Sequence, residues 1–181
     1  MIKYPRGEFM KKWWVVLIIS ILLLSGCQSK NSNELDSRKL DVYKSNIETL
    51  QEVNSIAATS DNFIVSSEMS TLADGTHRYY IIIDNANESM YNVQLMALEV
   101  GVDANSVMAP SIGILDDETY NLISKDSPVK DGYVKGLVLS GDTTSNSIDV
   151  KLMISWTDKS NTKKQEEFLL LHIDTMSSNG D

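Results

Sequence analysis

Between Ser147 and Thr157 apolar and polar residues alternate, and a two-residue period sustained for that long commits the segment to a half-buried β-strand. Ile148, Val150, Leu152, Ile154 and Trp156 fall on one side, with Asp149, Lys151, Ser155 and Thr157 opposite them. Successive side chains of a strand point to opposite faces, so the first set is expected in a core and the second in water. A helix would scatter those five apolar residues around its circumference.

The same period, broken by turn-rich clusters, recurs from Ser60 onward. Phe63 and Val65 alternate with polar residues in 62–69. After the Asp74-Gly75 turn, 77–84 carries Tyr79-Tyr80-Ile81-Ile82-Ile83, apolar on both faces as in a central strand. A strand from Tyr91 to Val100 follows the loop 85–89; 111–115 and 119–124 are weaker, separated by Asp116-Asp117-Glu118. The segments 133–140, 147–157 and 166–173 complete the set. Seven or eight short strands with no helical pattern between them predict a mainly β fold, an antiparallel β-sandwich over 60–174 rather than a parallel α/β sheet. The tail 175–181 has little to anchor it and is expected to be disordered. The strand Tyr79–Asp84, the loop from Asn85, the pair Asn92-Val93 and the stretch Ser155-Trp156-Thr157 together resemble bacterial immunoglobulin-like surface modules. That resemblance implies an Ig-like sandwich, here without the Cys-Trp-Cys signature of antibody-type domains.

Ahead of the strands the period is helical. Leu40, Tyr43, Ile47, Leu50 and Ala57 recur at spacings of three and four, Asn54 fills the one polar step, and Asp36 or Ser37 can cap the start. An amphipathic helix is expected over 37–59. Its stripe either packs on the following domain, stands as a stalk, or serves as a short coiled-coil or candidate partner-binding face; fewer than four heptads argues against a coiled coil.

The N-terminal region reads differently. Lys11-Lys12 precede a run from Trp13 to Leu24 that is almost wholly apolar, and Ser25-Gly26 then lead into Cys27, the single cysteine of the chain. Such a run is too short to span a bilayer, which takes about 20 residues, and has the layout of a secretory signal. Met10 offers a second start, since Met1–Phe9 does not look like part of a signal. Leu24-Ser25-Gly26-Cys27 resembles the lipobox of bacterial lipoprotein precursors. The resemblance implies a signal peptide over 1–26, recognition of Leu24, Ser25 and Gly26 by the signal peptidase, and a diacylglyceryl lipid on Cys27, which becomes the mature N-terminus. Two acyl chains bury methylenes at about 0.8 kcal/mol each and anchor stably. The protein would then be lipid-anchored at the cell membrane, facing the extracytoplasmic side, with a polar tether over 27–36.

Cleavage before Cys27 would leave 155 residues and reduce the charged side chains from 16 basic and 25 acidic to 12 and 24. A body that acidic is repelled by phosphate backbones, so nucleic acid is not an expected partner. With Cys27 acylated, stability outside the cytoplasm rests on packing and hydrogen bonds without a disulfide.

Catalytic patterns are sparse. His77 and His172 are the two histidines, and no serine lies in a Gly-x-Ser-x-Gly elbow. Neither histidine has another ligand at zinc spacing. Asp103-Ala104-Asn105 opens like a calcium loop, but Ile114 stands where a bidentate Glu is needed, and Asp116-Asp117-Glu118 reads as a solvated turn. No enzyme activity, metal or cofactor is expected beyond the lipid. Trp156 reads as core; Tyr79, Tyr80, Tyr91 and Tyr120 form a ligand-binding stripe only if several face outward. The expected function is a non-catalytic protein-binding or envelope-assembly module with an envelope or surface protein as partner. The alternative is a small-ligand or glycan-binding lipoprotein.

Overall fold

A computed structural model describes residues 30–104 and 107–175. The lipobox, the signal peptide and the tail beyond Thr175 lie outside the described residues. The chain divides into two compact units, Met1–Arg38 and Lys39–Asp181.

Helix α1 (Lys30–Glu52) crosses that division. It begins earlier than the stripe implied and takes up seven residues of the expected tether, because no glycine or proline interrupts 30–52. Arg38 and Glu34 pair one turn apart at 2.5 Å. It also ends earlier, at Glu52 rather than 59. Ala57, expected on the stripe, has its backbone bound to a strand instead: its N–H donates to Phe168 O and its carbonyl accepts from Leu170 N, both at 3.0 Å.

Seven strands follow: β1 (Ile64–Thr71), β2 (His77–Asp84), β3 (Tyr91–Glu99), β4 (Ser111–Ile112), β5 (Gly136–Thr143), β6 (Ser147–Thr157) and β7 (Lys164–Asp174). They form two antiparallel sheets, ordered β1-β2-β5 and β4-β3-β6-β7. The fold is mainly β with one helix among the described residues. The segment 119–124 is not a strand. Leu122, fully buried, instead bridges Met90 and Val134 and closes one end of the core.

Two cores result. Tyr79, Ile81, Ile83, Leu137 and Leu139 of the first sheet meet Val93, Leu95, Val150, Leu152 and Ile154 of the second in a core between the sheets. The other face of β6 was expected to be wet, and around Met153 it is not. Met96, Leu98 and Met153 are buried there with Tyr43 and Leu50 of α1, with Ala109 of the β3–β4 connection and with Ile114 just after β4. Lys151 lies on that face within a strand, and its ammonium accounts for its place: Nζ donates to the carbonyls of Leu50, Gln51 and Val53 at 2.9, 3.2 and 3.2 Å. Those carbonyls have no intrahelical partner and carry the negative end of the helix dipole, so one lysine both caps the helix and fastens it to the sheet. At mid-helix, Tyr43 Oη donates to Ala109 O at 3.1 Å, and Lys39 Nζ reaches Asp116 O at 3.0 Å and the Asp117 carboxylate.

Asn92 breaks the regular β3–β6 register with a left-handed φ of 50° between the paired positions Tyr91 and Gln94. Asparagine tolerates that conformation at a bulge. Its amide nitrogen then binds Thr157 Oγ1 and Asn161 Oδ1 at 3.1 and 2.9 Å, while its N–H donates to Asn121 Oδ1 at 3.0 Å.

Candidate functional site: two clefts and a buried helix stripe

The β1–β2 turn, the end of β3 with the loop after it, and the β5–β6 turn gather at one end of the sheets around a cleft of about 760 Å³. Tyr79 forms its inner wall. Its partner across the β2–β5 ladder is Gly141, and the phenol lies where a Cβ at 141 would sit, so glycine there is a packing requirement. Leu98, Ala109 and Pro110 add apolar wall, and Val107 and Met108 form an exposed lip at 55% and 69% relative exposure. Large apolar side chains so exposed and so close together mark a surface suited to an apolar partner.

The rim is acidic. Arg78 holds Asp142 through two parallel bonds of 2.7 and 2.9 Å, which lower the Asp142 carboxyl and raise the guanidinium. Asp74 is lowered by hydrogen bonds from the hydroxyl and N–H of Thr76 at 2.6 and 3.0 Å. Glu99 Oε1 accepts from Thr143 Oγ1 at 3.4 Å. Burial, then the charges of Glu99 and Asp142, push the Tyr79 phenol up to about 12. That phenol therefore stays neutral as one side of an apolar slot edged with carboxylates.

At the opposite end of the sheets a polar groove of about 480 Å³ is lined by Asn62, Ser89, Tyr91, Thr157 and Gln165. Trp156 borders it but is 5% exposed, packed edge-on against Phe63 with ring centroids 5.9 Å apart. The four tyrosines do not make a stripe. Tyr79 belongs to the inner core, Tyr91 packs on Tyr133 at 5.8 Å, Tyr120 donates to Glu118, and Tyr80 lies on the outer side of the first sheet between Glu68 and Ser140.

The candidate partner-binding face of α1 requires correction. Tyr43 and Leu50 are buried and Ile47 packs against them, all directed onto the chain's own sheet. Leu40 stays exposed, and Ala57 lies beyond the helix. Burial against Met96 and Met153 removes the Tyr43 and Leu50 side chains from water. Leu24, Ser25, Gly26 and Cys27 lie outside the described residues.

Sequence reading missed one constellation. His172 stands opposite Asp149 on the β6–β7 ladder, Nδ1 2.8 Å from Asp149 Oδ1, with Ser147 Oγ 3.4 Å and Asp174 Oδ2 3.8 Å from Nε2. The legible signal was the i, i+2 spacing of Ser147 and Asp149, but pairing them with His172 needs the strand register. The order Ser–His–Asp is that of a hydrolytic triad. These groups nevertheless lie on open sheet surface, the His172 side chain 64% exposed, and neither cleft includes them. Hydrogen bonding to Asp149 raises the imidazole pKa. The other histidine, His77, meets Thr71 Oγ1 at 3.2 Å.

The carboxylates of the acidic turn serve the fold: Asp116 accepts from Gly113 N–H at 2.9 Å, Asp117 pairs with Lys39, and Glu118 accepts from Tyr120. Among the described residues no group of three His, Cys, Asp or Glu side chains is placed to hold a metal ion, and no helix is long and apolar enough to cross a membrane. Comparisons with protein-family models, with curated proteins and with solved structures find no match to this chain.

Proposed function

We propose that this chain is a lipoprotein anchored through a diacylglyceryl group on Cys27, carrying on the extracytoplasmic side a non-catalytic module that binds an envelope or surface protein. The observation that carries the binding part is the apolar lip of Val107 and Met108 over a carboxylate-edged cleft, which fits an apolar segment flanked by basic groups. The anchor rests on Leu24-Ser25-Gly26-Cys27. An Ig-like reading of the body is supported by strand order: β1-β2-β5 against β3-β6-β7 matches the constant-type immunoglobulin arrangement apart from the two-residue β4, which sits beside β3 instead of β5.

Met108→Asp is expected to remove a specific protein from pull-downs of detergent-solubilised membranes while the circular dichroism spectrum is unchanged. An identical partner set for the variant and the parent would defeat the proposal. Cys27→Ala is expected to abolish incorporation of labelled fatty acid and to release the protein from membranes. A glycan or small polar ligand is the second reading, favoured by the hydroxyl and amide lining of the opposite groove. Saturable sugar binding lost in Gln165→Ala and kept in Met108→Asp would select it.

A further inference from the structure

Sulfur is distributed unevenly over this fold. Five of the eight methionines lie among the described residues. Met69 and Met90 are buried in the inner core at 7% and 2% exposure, and Met96 and Met153 are fully buried in the outer one. Met108 is the exception: it is 69% exposed, beside Val107 on the lip of the larger cleft. The single cysteine, Cys27, is the expected point of lipid attachment.

The lip is held from behind. Directly after Met108, the Ala109 carbonyl accepts from Tyr43 Oη and the Pro110 carbonyl accepts from the Ala97 N–H, each at 3.1 Å. Those bonds tie the backbone to α1 and to β3, and Ala109 itself is buried. The Met108 thioether therefore stands in water on a fastened segment while belonging to neither hydrophobic core.

We propose that Met108 is a modification site for two-electron oxidants of the peroxide class, and that its sulfoxide weakens docking of an apolar partner on the lip. In the reaction a lone pair of Sδ attacks one oxygen of hydrogen peroxide. The S–O bond forms, the O–O bond breaks, and the departing hydroxide takes the proton of the transferred oxygen and leaves as water; sulfur loses two electrons and peroxide gains them. Charge separates as the O–O bond breaks, so the step is favoured where water surrounds the sulfur and disfavoured in an apolar interior. Met108 has that water, and the four buried thioethers are shielded from it.

The product is polar and chiral where the reactant was apolar. An apolar segment seated on the lip would have to bury the S–O oxygen with no donor to meet it, and burying an unpaired acceptor is unfavourable. Because Met108 lies outside both cores, oxidation leaves the fold intact, and a methionine sulfoxide reductase restores the thioether. The effect on docking rests on the binding role proposed above for the cleft; the site of oxidation does not.

The experiment exposes the purified full chain, immobilised on beads, to graded hydrogen peroxide, removes the excess with catalase, and then offers the beads to detergent-solubilised membranes. Peptide mapping with fragment-ion localisation follows the gain of oxygen at each methionine. Met108 is expected to oxidise at least about tenfold faster than Met69, Met90, Met96 and Met153, with the circular dichroism spectrum unchanged. Capture of the protein that Met108→Asp loses is expected to fall at least about tenfold on oxidation and to return after treatment with the reductase. Met108→Leu, compared with its own untreated sample, is expected to be indifferent to peroxide, which also separates Met108 from Met176 outside the described residues.

Oxidation of any of the four buried methionines as fast as Met108 would overturn the site. Undiminished capture by the oxidised parent, or an equal loss in Met108→Leu, would overturn the effect on docking. Failure of the untreated parent to capture any protein missing from the Met108→Asp sample would defeat the binding role of the cleft, and the docking effect with it, while the oxidation rates still decide the site.

Discussion

The four-stranded sheet is covered on both faces, and its two coverings arise from different kinds of sequence. Between the sheets, β6 contributes Ile148, Val150, Leu152, Ile154 and Trp156 in strict alternation, and every one is buried. On the opposite face the same strand offers Asp149, Lys151, Met153 and Ser155. Only where Met153 meets Met96 and Leu98 does that face become apolar enough to receive a helix, and there Tyr43 and Leu50 settle on it. The inner core is thus a property of many strands at once. The outer core is a local agreement between one helix, one lysine and the two segments that flank β4.

Substitutions in the two cores should separate them. Leu152→Ala, at the centre of the inner core, is expected to cost about 3–5 kcal/mol, because the cavity lies between two sheets that cannot close on it. Leu50→Ala is equally buried but sits under a helix that can settle toward the sheet, so about 2–3 kcal/mol is expected. Urea titrations followed by far-ultraviolet circular dichroism measure both. Equal losses would mean that the two cores are equally rigid and would remove the distinction.

A smaller effect isolates the fastening of the helix. Lys151→Met keeps the aliphatic stem and removes the charge from the carbonyls of Leu50 and Gln51 in the last turn and of Val53 just beyond it, and is expected to cost about 1–2 kcal/mol. Amide exchange should rise in 43–53 while β2 and β6 stay protected. Uniformly faster exchange across both sheets would show that the helix and the inner core unfold together.

The smallest effect lies at the end of the outer face that the helix does not cover. The folded-state pKa of His172 is raised by Asp149, so this pair contributes stability in full below the unfolded-state value of about 6.5 and loses it as pH rises through the raised folded value. Asp149→Asn is expected to lower the His172 titration midpoint seen by NMR and to flatten the stability profile across that window. An unmoved midpoint would dissociate the imidazole from Asp149.

Much of the strand arrangement could be read directly. The bounds of β2 and β6 coincide with the periodicity, and β3 and β7 depart from it by one or two residues, because alternation and turn residues are local properties. The segment 119–124 misled because Leu122 is apolar for another purpose, filling the end of the core through bridges to Met90 and Val134. The cleft was not legible. Val107 and Met108 follow no period, and Tyr79, Glu99 and Asp142 are distant in sequence until three connections meet at one end of the sheets.

Side-chain periodicity alone determined that this chain builds a mainly β body and that a helix with one apolar stripe precedes it, since both follow from which neighbours along the chain share a face. Where that stripe goes was decided by the tertiary structure. Tyr43 and Leu50 look the same in sequence whether they await a partner or cover a sheet; Met96, Met153 and the ammonium of Lys151, brought together only by strand pairing, supply the apolar surface and the helix cap that draw them inward.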